Sequence, residues 1–207
     1  AYLSEIKYFK EGNVLVAETS RLKLREITLN DVGDIHIYSS DPENVRYINF
    51  GPNTVEQTEE FVAKAVEANN RVPRCDYELG AVRKSDGVYI GSCGIYTRDI
   101  RGDNSKLVVG TEAEIGWILN KKYWRCGYGT EIAAALIDLC FNRLKVHRVY
   151  ANCHTDNVAS YRVMEKNAMR FEGLFKKVRY AVIDGEARWY DVRQYAILED
   201  EYFRCPN

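Results

Sequence analysis

The 207-residue chain predicts an α/β (α+β mixed) fold: a largely antiparallel central sheet of six to seven strands flanked by helices. Two observations carry this. Runs with period-two alternation recur along the chain, and most neighbours are joined by short turns, which pairs them antiparallel. Stretches with helical period separate them, one of them opened by a glycine turn. Strands joined mostly by short turns do not make a doubly wound parallel sheet.

Residues 1–17 read as an N-terminal extension with some strand character, and residues 18–207 as one domain. Arg21-Leu22-Lys23-Leu24-Arg25 alternates charge with leucine, so it reads as a half-buried strand. Thr28 or Asn30 caps a helix running to about Ser40, which Asp41-Pro42 breaks. Thr54 caps a second helix with Phe61, Ala65 and Ala68 on one stripe. Residues 77–82 and 88–95 are strands joined as a hairpin by Lys84-Ser85-Asp86-Gly87. A loop from Asp99 to Ser105 leads to the strand Ala113–Leu119. After the glycine turn, Ile132, Leu136, Leu139 and Cys140 fall on one helix face. His147–Cys153 is a strand, and Asp156 or Asn157 caps a short helix. Two last strands, from Phe171 to Ile183 and from Trp189 to Leu198, turn at Asp184-Gly185.

Composition narrows the class. Apolar residues make up 46% and charged residues 29%, as in ordinary globular domains. A net charge of −1 argues against a nucleic-acid partner or an anionic-membrane partner. No apolar run approaches the roughly 20 residues that span a bilayer, and the polar, aromatic start lacks a signal-peptide core. The six cysteines form no Cys-x-x-Cys pair and show no ligand spacing with the three histidines, so no metal site is expected. Cys93 and Cys140 read as small buried hydrophobes in a reduced, cytoplasmic setting.

The most informative stretch is Tyr123-Trp124-Arg125-Cys126-Gly127-Tyr128-Gly129-Thr130-Glu131. It joins a strand end directly to a helix start. Backbone N–H groups there converge where the helix dipole favours negative charge, so a phosphate or pyrophosphate is the simplest ligand. No Walker loop is present, and the dinucleotide fingerprint lacks its third glycine. Two glycines alone are more simply a tight turn with close strand–helix packing.

Wider context changes that balance. Glu114-Ile-Gly-Trp-Ile-Leu119, then Tyr123-Trp-x-x-Gly-Tyr-Gly-Thr-Glu131, then Asn157-Val-Ala-Ser-Tyr-Arg-Val-Met-Glu-Lys166, resembles the GNAT superfamily of acyl-CoA-dependent N-acetyltransferases. Thr19–Arg25 and the closing hairpin with Trp189-Tyr190-Asp191 and Tyr195 are similar to its RimJ/RimL-type branch. The resemblance covers residues 18–203 in the family's order. It implies a GNAT-like fold with acetyl-CoA as co-substrate. It places the pyrophosphate on the turn of Arg125, Cys126, Gly127, Tyr128, Gly129 and Thr130, and the pantetheine along the strand end at Leu119 and beside Asn157. Four positions depart from the wider family. Trp124 begins the turn, Met164 stands where many relatives carry an acid tyrosine, and Ala168-Met169 replaces Gly-Phe.

The implied reaction is attack by a neutral amine on a thioester, directly in a ternary complex. An α-amine, with a pKa near ~7.7–8.0, is already partly neutral at pH 7, whereas a lysine-like amine, near ~10.4, is not. Glu112 and Glu114 share one strand face and are the candidate bases, with Glu114 first. Ser160, one helical turn after Asn157, is the candidate acid and also a pantetheine neighbour. Tyr161 and Tyr150 are further acids, Leu119 offers an oxyanion N–H, and a covalent route through Cys153 or Cys126 is disfavoured. The acceptor is a primary amine: a protein N-terminus first, or a small amine such as a polyamine, amino acid or antibiotic. A non-catalytic CoA-binding module is the reading of another class, and a nucleotide binder of another fold is the remotest. Monomer and homodimer are both open.

Overall fold

A computed structural model describes residues 7–11, 14–101, 107–183 and 186–204. In chain order its strands are β1 (Lys7–Glu11), β2 (Val14–Glu18), β3 (Leu22–Glu26), β4 (Asp76–Arg83), β5 (Tyr89–Arg101), β6 (Leu107–Leu119), β7 (Arg148–His154), β8 (Arg170–Ile183) and β9 (Glu186–Leu198). The helices are α1 (Val32–Ser39), α2 (Pro42–Val45), α3 (Val55–Ala68), α4 (Tyr128–Leu139), α5 (Val158–Lys166) and α6 (Glu199–Arg204).

The sheet runs β1-β2-β3-β4-β5-β6-β7-β9-β8. Every neighbouring pair is antiparallel except β6 and β7. The mixed, largely antiparallel expectation holds, but the sheet has nine strands among the described residues rather than six to seven. The additional strands come from the stretch read as an extension. β2 pairs with β3, and Ala17 is fully buried in the main core. Asp184-Gly185 and most of the Asp99–Ser105 loop lie outside the described residues, although Asp99–Arg101 continues β5.

Leu22 and Leu24 are buried and Lys23 and Arg25 are not, as the alternation in β3 requires. That inner face meets α4, whose Ile132, Leu136 and Leu139 are fully buried against Leu79, Ile90 and Ile95. Complete burial of such side chains contributes about 1.5–3 kcal/mol each. On the opposite face, α1 and α3 bury Ile35, Tyr38, Val62 and Ala65 over Tyr89. Thr54 caps α3 as expected, accepting from Gln57 N–H. Asp41-Pro42 does more than end a helix. Asp41 accepts from Glu43 and Asn44 N–H groups, and Pro42 opens α2 in the first-turn position where its missing N–H does no harm.

Candidate active site

The parallel pairing of β6 with β7 ends at Glu114 and Tyr150. Beyond it the strands diverge, and Ile115–Leu119 lose their β7 partner. Two cavities open in this wedge. One of about 540 Å³ borders the glycine turn and α5, and is called the turn cleft here. The other, about 570 Å³, lies over the sheet between α1, α3 and α5, and is called the sheet cavity. They share Tyr47, Ile48, Trp117, Ile118, Asn157 and Ser160, so one opens into the other.

The turn is held by its own backbone. Arg125 has φ +60 and Gly127 φ +82, and Gly127 is the N-cap of α4. The left-handed conformation costs a residue with a Cβ about 1–2 kcal/mol, which accounts for Gly127. Gly129 answers a different demand. A Cβ there would lie 3.4 Å from Val163 Cγ2, at the α4–α5 crossing. The first α4 amide bonded within the helix is Glu131 N–H, donating to Gly127 O. The N–H groups of Tyr128, Gly129 and Thr130 come before it, and all three residues line the turn cleft. Arg46, Arg125, Arg162 and Lys166 add positive charge around the same cleft. Helix-start amides and four cations around one cleft suit a diphosphate.

A buried brace fixes the turn to the first core strand. Glu131, 2% exposed, accepts from Thr19 Oγ1 at 2.5 Å, Arg21 N–H at 2.9 Å and Arg21 Nε at 2.7 Å. Burial pushes its carboxyl pKa up, but the hydrogen bonds from Thr19 and Arg21 outweigh it and hold the pKa below the usual value. Arg21 then reaches on, donating from Nη1 to Cys126 O at 3.0 Å and lying 4.4 Å over the Tyr128 ring. From the other side, Asn44 Nδ2 and Trp124 Nε1 both donate to Leu119 O, at 2.6 and 2.8 Å. Asn44 Oδ1 accepts from Lys121 N–H at 2.9 Å. The indole at Trp124 thus locks the strand end from which the turn departs.

Most residues expected at the cofactor site come together. Leu119, Arg125, Gly127, Tyr128, Gly129, Thr130, Asn157 and Ser160 line the turn cleft. Cys126 does not. Its carbonyl is turned to Arg21 and its thiol to Trp124 O. Asn157 caps α5 through Ser160 N–H, at 3.1 Å, and still borders both cavities. Met164, in the position of the missing tyrosine, is buried against the sheet cavity. Cys153 borders that cavity too, and burial pushes its thiol up to about 11, which keeps it protonated. His154 points to the other face, stacked between Tyr47 and Tyr190 with ring centroids 5.3 and 4.7 Å away.

The carboxylates expected to act as base are engaged away from the cavities. Neither Glu114 nor Glu112 lines either cavity. Glu114 accepts from Arg98 Nη2 at 2.9 Å, Asn152 Nδ2 at 3.0 Å and Tyr150 OH at 3.3 Å. Glu112 is paired with Arg148 at 2.9 Å. Both lie further along the face that Gly116 occupies, where the sheet is charged and interlocked. Tyr150 points its hydroxyl at Glu114, and Tyr161 packs under Arg193 at 5.1 Å; neither lines a cavity.

Two carboxylates line the sheet cavity, Glu60 on α3, which is paired with Lys64, and Glu78 on β4. Tyr96 OH donates to Glu78 Oε1 at 2.6 Å. Burial pushes its pKa up to about 6, against the lowering effect of the Tyr96 hydrogen bond. Sequence reading passed over it because a Glu between Tyr77 and Leu79 is the ordinary polar position of a half-buried strand. Asn44 and the Thr19–Arg21–Glu131 brace were missed as well. The acid in the first turn of α4 carried no signal of its own, because a carboxylate there suits any helix start.

Against this geometry the family is clear. The Acetyltransferase (GNAT) domain family matches residues 21–170. The chain is 33% identical over 184 residues to the uncharacterized N-acetyltransferase YnaD of Bacillus subtilis, covering 89% of this chain and 97% of that protein. The crystal structure of a GNAT-family acetyltransferase from Bacillus anthracis superposes with a TM-score of 0.72 at 33% identity, over 90% of this chain and 99% of that one. RimL, a ribosomal L7/L12 alpha-N-protein acetyltransferase in complex with coenzyme A, shares the fold with a TM-score of 0.73 at 20% identity, over 88% and 96%. The chain belongs to the GNAT acetyltransferases, enzymes that use acetyl-CoA as acyl donor. Among the described residues no helix is long and apolar enough to cross a membrane, and no cluster of His, Cys, Asp and Glu would hold a metal.

Proposed function

We propose that this chain transfers the acetyl group of acetyl-CoA to the amine of an acceptor held in the sheet cavity, by direct attack while both are bound. The junction of the two cavities at Trp117, Ile118, Asn157 and Ser160 carries this reading. A donor whose diphosphate lies on the turn of Arg125–Thr130 and whose arm follows the unpaired edge of Ile115–Leu119 ends where an acceptor can approach from the sheet. Acetyl-CoA supplies the activated thioester. The protein holds both reactants in one orientation, which removes much of the entropic barrier of a bimolecular step. Ser160 borders both cavities and is the group placed to protonate the departing sulfur. A thiol kept protonated at Cys153 supports direct attack over an acetyl-cysteine route.

For the acceptor, a protein N-terminal α-amine remains the first substrate class. The sheet cavity is walled largely by Tyr38, Tyr47, Phe50, Phe61 and Trp117, and Glu78 is its inward carboxylate. Glu60, at its rim, is paired with Lys64 at 2.6 Å. That arrangement suits one cationic nitrogen beside an apolar group better than a polyamine. Thiol release from acetyl-CoA, measured with N-terminal peptides, phenethylamine and spermidine, tests it. The expected order is peptide or phenethylamine above spermidine. CoA binding without release from any amine would instead favour a non-catalytic module.

A further inference from the structure

We propose that Glu78 is the general base of this enzyme, receiving the acceptor's ammonium group in the sheet cavity and held for that task by Tyr96. The inference rests on the transferase reading above and adds the residue that takes the proton.

The first support is register. Glu78 pairs with Gly94, and Gly94 with Gly116, so the three residues form one row across β4, β5 and β6. All three line the sheet cavity. Strands lie about 4.8 Å apart, so the row leads from Glu78 to the unpaired edge of β6 in about 10 Å. Gly116 leaves its end of the row open, and at Gly94 the row carries the Tyr96 hydroxyl. A Cβ on Gly116 would meet nothing within 4 Å, so it faces open space. A Cβ on Gly94 would come within 2.6 Å of Tyr96 Oη, so glycine there lets the Tyr96 ring fold back and reach Glu78. An amine resting over Gly116 has the thioester's approach on one side and, on the other, Glu78 with the Tyr96 hydroxyl bonded to it.

The second support is the charge around Glu78. Asp76 on its own strand raises its proton affinity, and Tyr96 lowers it. Cys93 on β5 and Tyr38 on α1 face the same region and are held in their protonated, neutral forms by burial. Across the cavity, α3 presents Glu60 and Lys64, which pair with each other. Among the described residues Glu78 therefore has no cationic partner within hydrogen-bonding distance, unlike Glu112 and Glu114. A carboxylate titrating near 6 is charged at neutral pH yet basic enough to accept a proton from an amine.

The step balances simply. Glu78 takes one proton from the ammonium. The freed lone pair attacks the thioester carbon, and the carbon–sulfur bond breaks. A second nitrogen-bound proton replaces the one that Ser160 gives the departing sulfur, so free CoA thiol forms, and the third stays on the amide.

The test is the pH dependence of kcat/KM in wild type, E78Q and Y96F, using whichever acceptor of the peptide, phenethylamine and spermidine panel wild type acetylates fastest. Calorimetric CoA titration of each variant confirms that it is folded. Wild type is expected to lose activity as pH falls through about 6, when Glu78 becomes protonated. E78Q is expected to lose at least about a hundredfold in kcat/KM with CoA affinity unchanged, and to lose that acidic limb. Y96F removes a hydrogen bond that favours the charged carboxylate, so its acidic limb moves to higher pH. A merely structural tyrosine would lower activity without moving the limb. E78Q turnover within threefold of wild type, with the limb intact, overturns the role of Glu78 and leaves the transferase reading standing. Wild type that binds CoA but acetylates none of the amines overturns both.

Discussion

The turn cleft and the sheet cavity open into each other at Trp117 and Asn157 but are made of different material. The turn cleft offers main chain: three helix-start amides and a glycine in a left-handed conformation, braced from behind by Arg21 and Glu131. The sheet cavity offers side chains gathered from α1, α3, β4, β5, β6 and α5. A backbone site tolerates varied side chains as long as the chain can bend. A side-chain site is changed by any one substitution and can be re-specified without disturbing the cofactor. One scaffold can keep a single donor and exchange acceptors.

That contrast can be broken at its strongest point. Gly127→Asp forces a Cβ and a negative charge onto a residue at φ +82 in the turn. CoA affinity, read by calorimetry, should fall by about a hundredfold or more, which is ~2.7 kcal/mol. The thermal midpoint should move by only a few degrees. Unchanged affinity would mean that the diphosphate lies elsewhere.

Ser160 stands where the cavities join, so its truncation separates the two sites. Ser160→Ala should lower kcat about tenfold or more and leave the Kd for CoA within twofold. If only the Kd changes, Ser160 is a binding residue.

The brace sharpens the comparison from behind the turn. Glu131→Gln weakens charge-assisted hydrogen bonds from Thr19 and Arg21. A loss of about 2 kcal/mol in urea unfolding is expected, because Arg21 keeps partial access to water. The sign with pH follows from the depressed pKa of Glu131. Its contribution is present above the ordinary glutamate value of 4.5 and is lost as pH falls through the lower folded value. In E131Q that part of the acid sensitivity should vanish, so the two unfolding curves should converge at low pH. Parallel curves would show that the brace does not titrate.

The smallest effect is expected at Glu114. It lines neither cavity and is tied to Arg98, Asn152 and Tyr150, so Glu114→Gln should leave kcat/KM within about threefold of wild type. A hundredfold loss would return the base to β6 and weaken the assignment of Glu78.

Much of this molecule was legible in its residues. The alternation in Arg21–Arg25, the cap at Thr54 and the stripe of Ile132, Leu136 and Leu139 each state a local preference, and the structure realises all three. The glycine turn was legible for the same reason: strand end, turn and helix start are adjacent in sequence, so their geometry is local. Glu78 and Glu114 show the limit. Both are strand carboxylates flanked by apolar neighbours, and nothing within several residues of either distinguishes a cavity-lining group from a salt-bridge partner. The distinction came from partners 18 residues away for Glu78, at Tyr96, and 16 away for Glu114, at Arg98. Sequence by itself determined the periods, the caps and the glycine turn, because those depend on backbone sterics and nearby side chains. Tertiary structure alone decided that the 1–17 stretch feeds two strands into the sheet, that β6 and β7 part after Glu114, and that one glutamate faces a cavity while another is locked in charge pairs. Register and burial set the solvent, the charges and the open space around a carboxylate, and those settle what its chemistry can be.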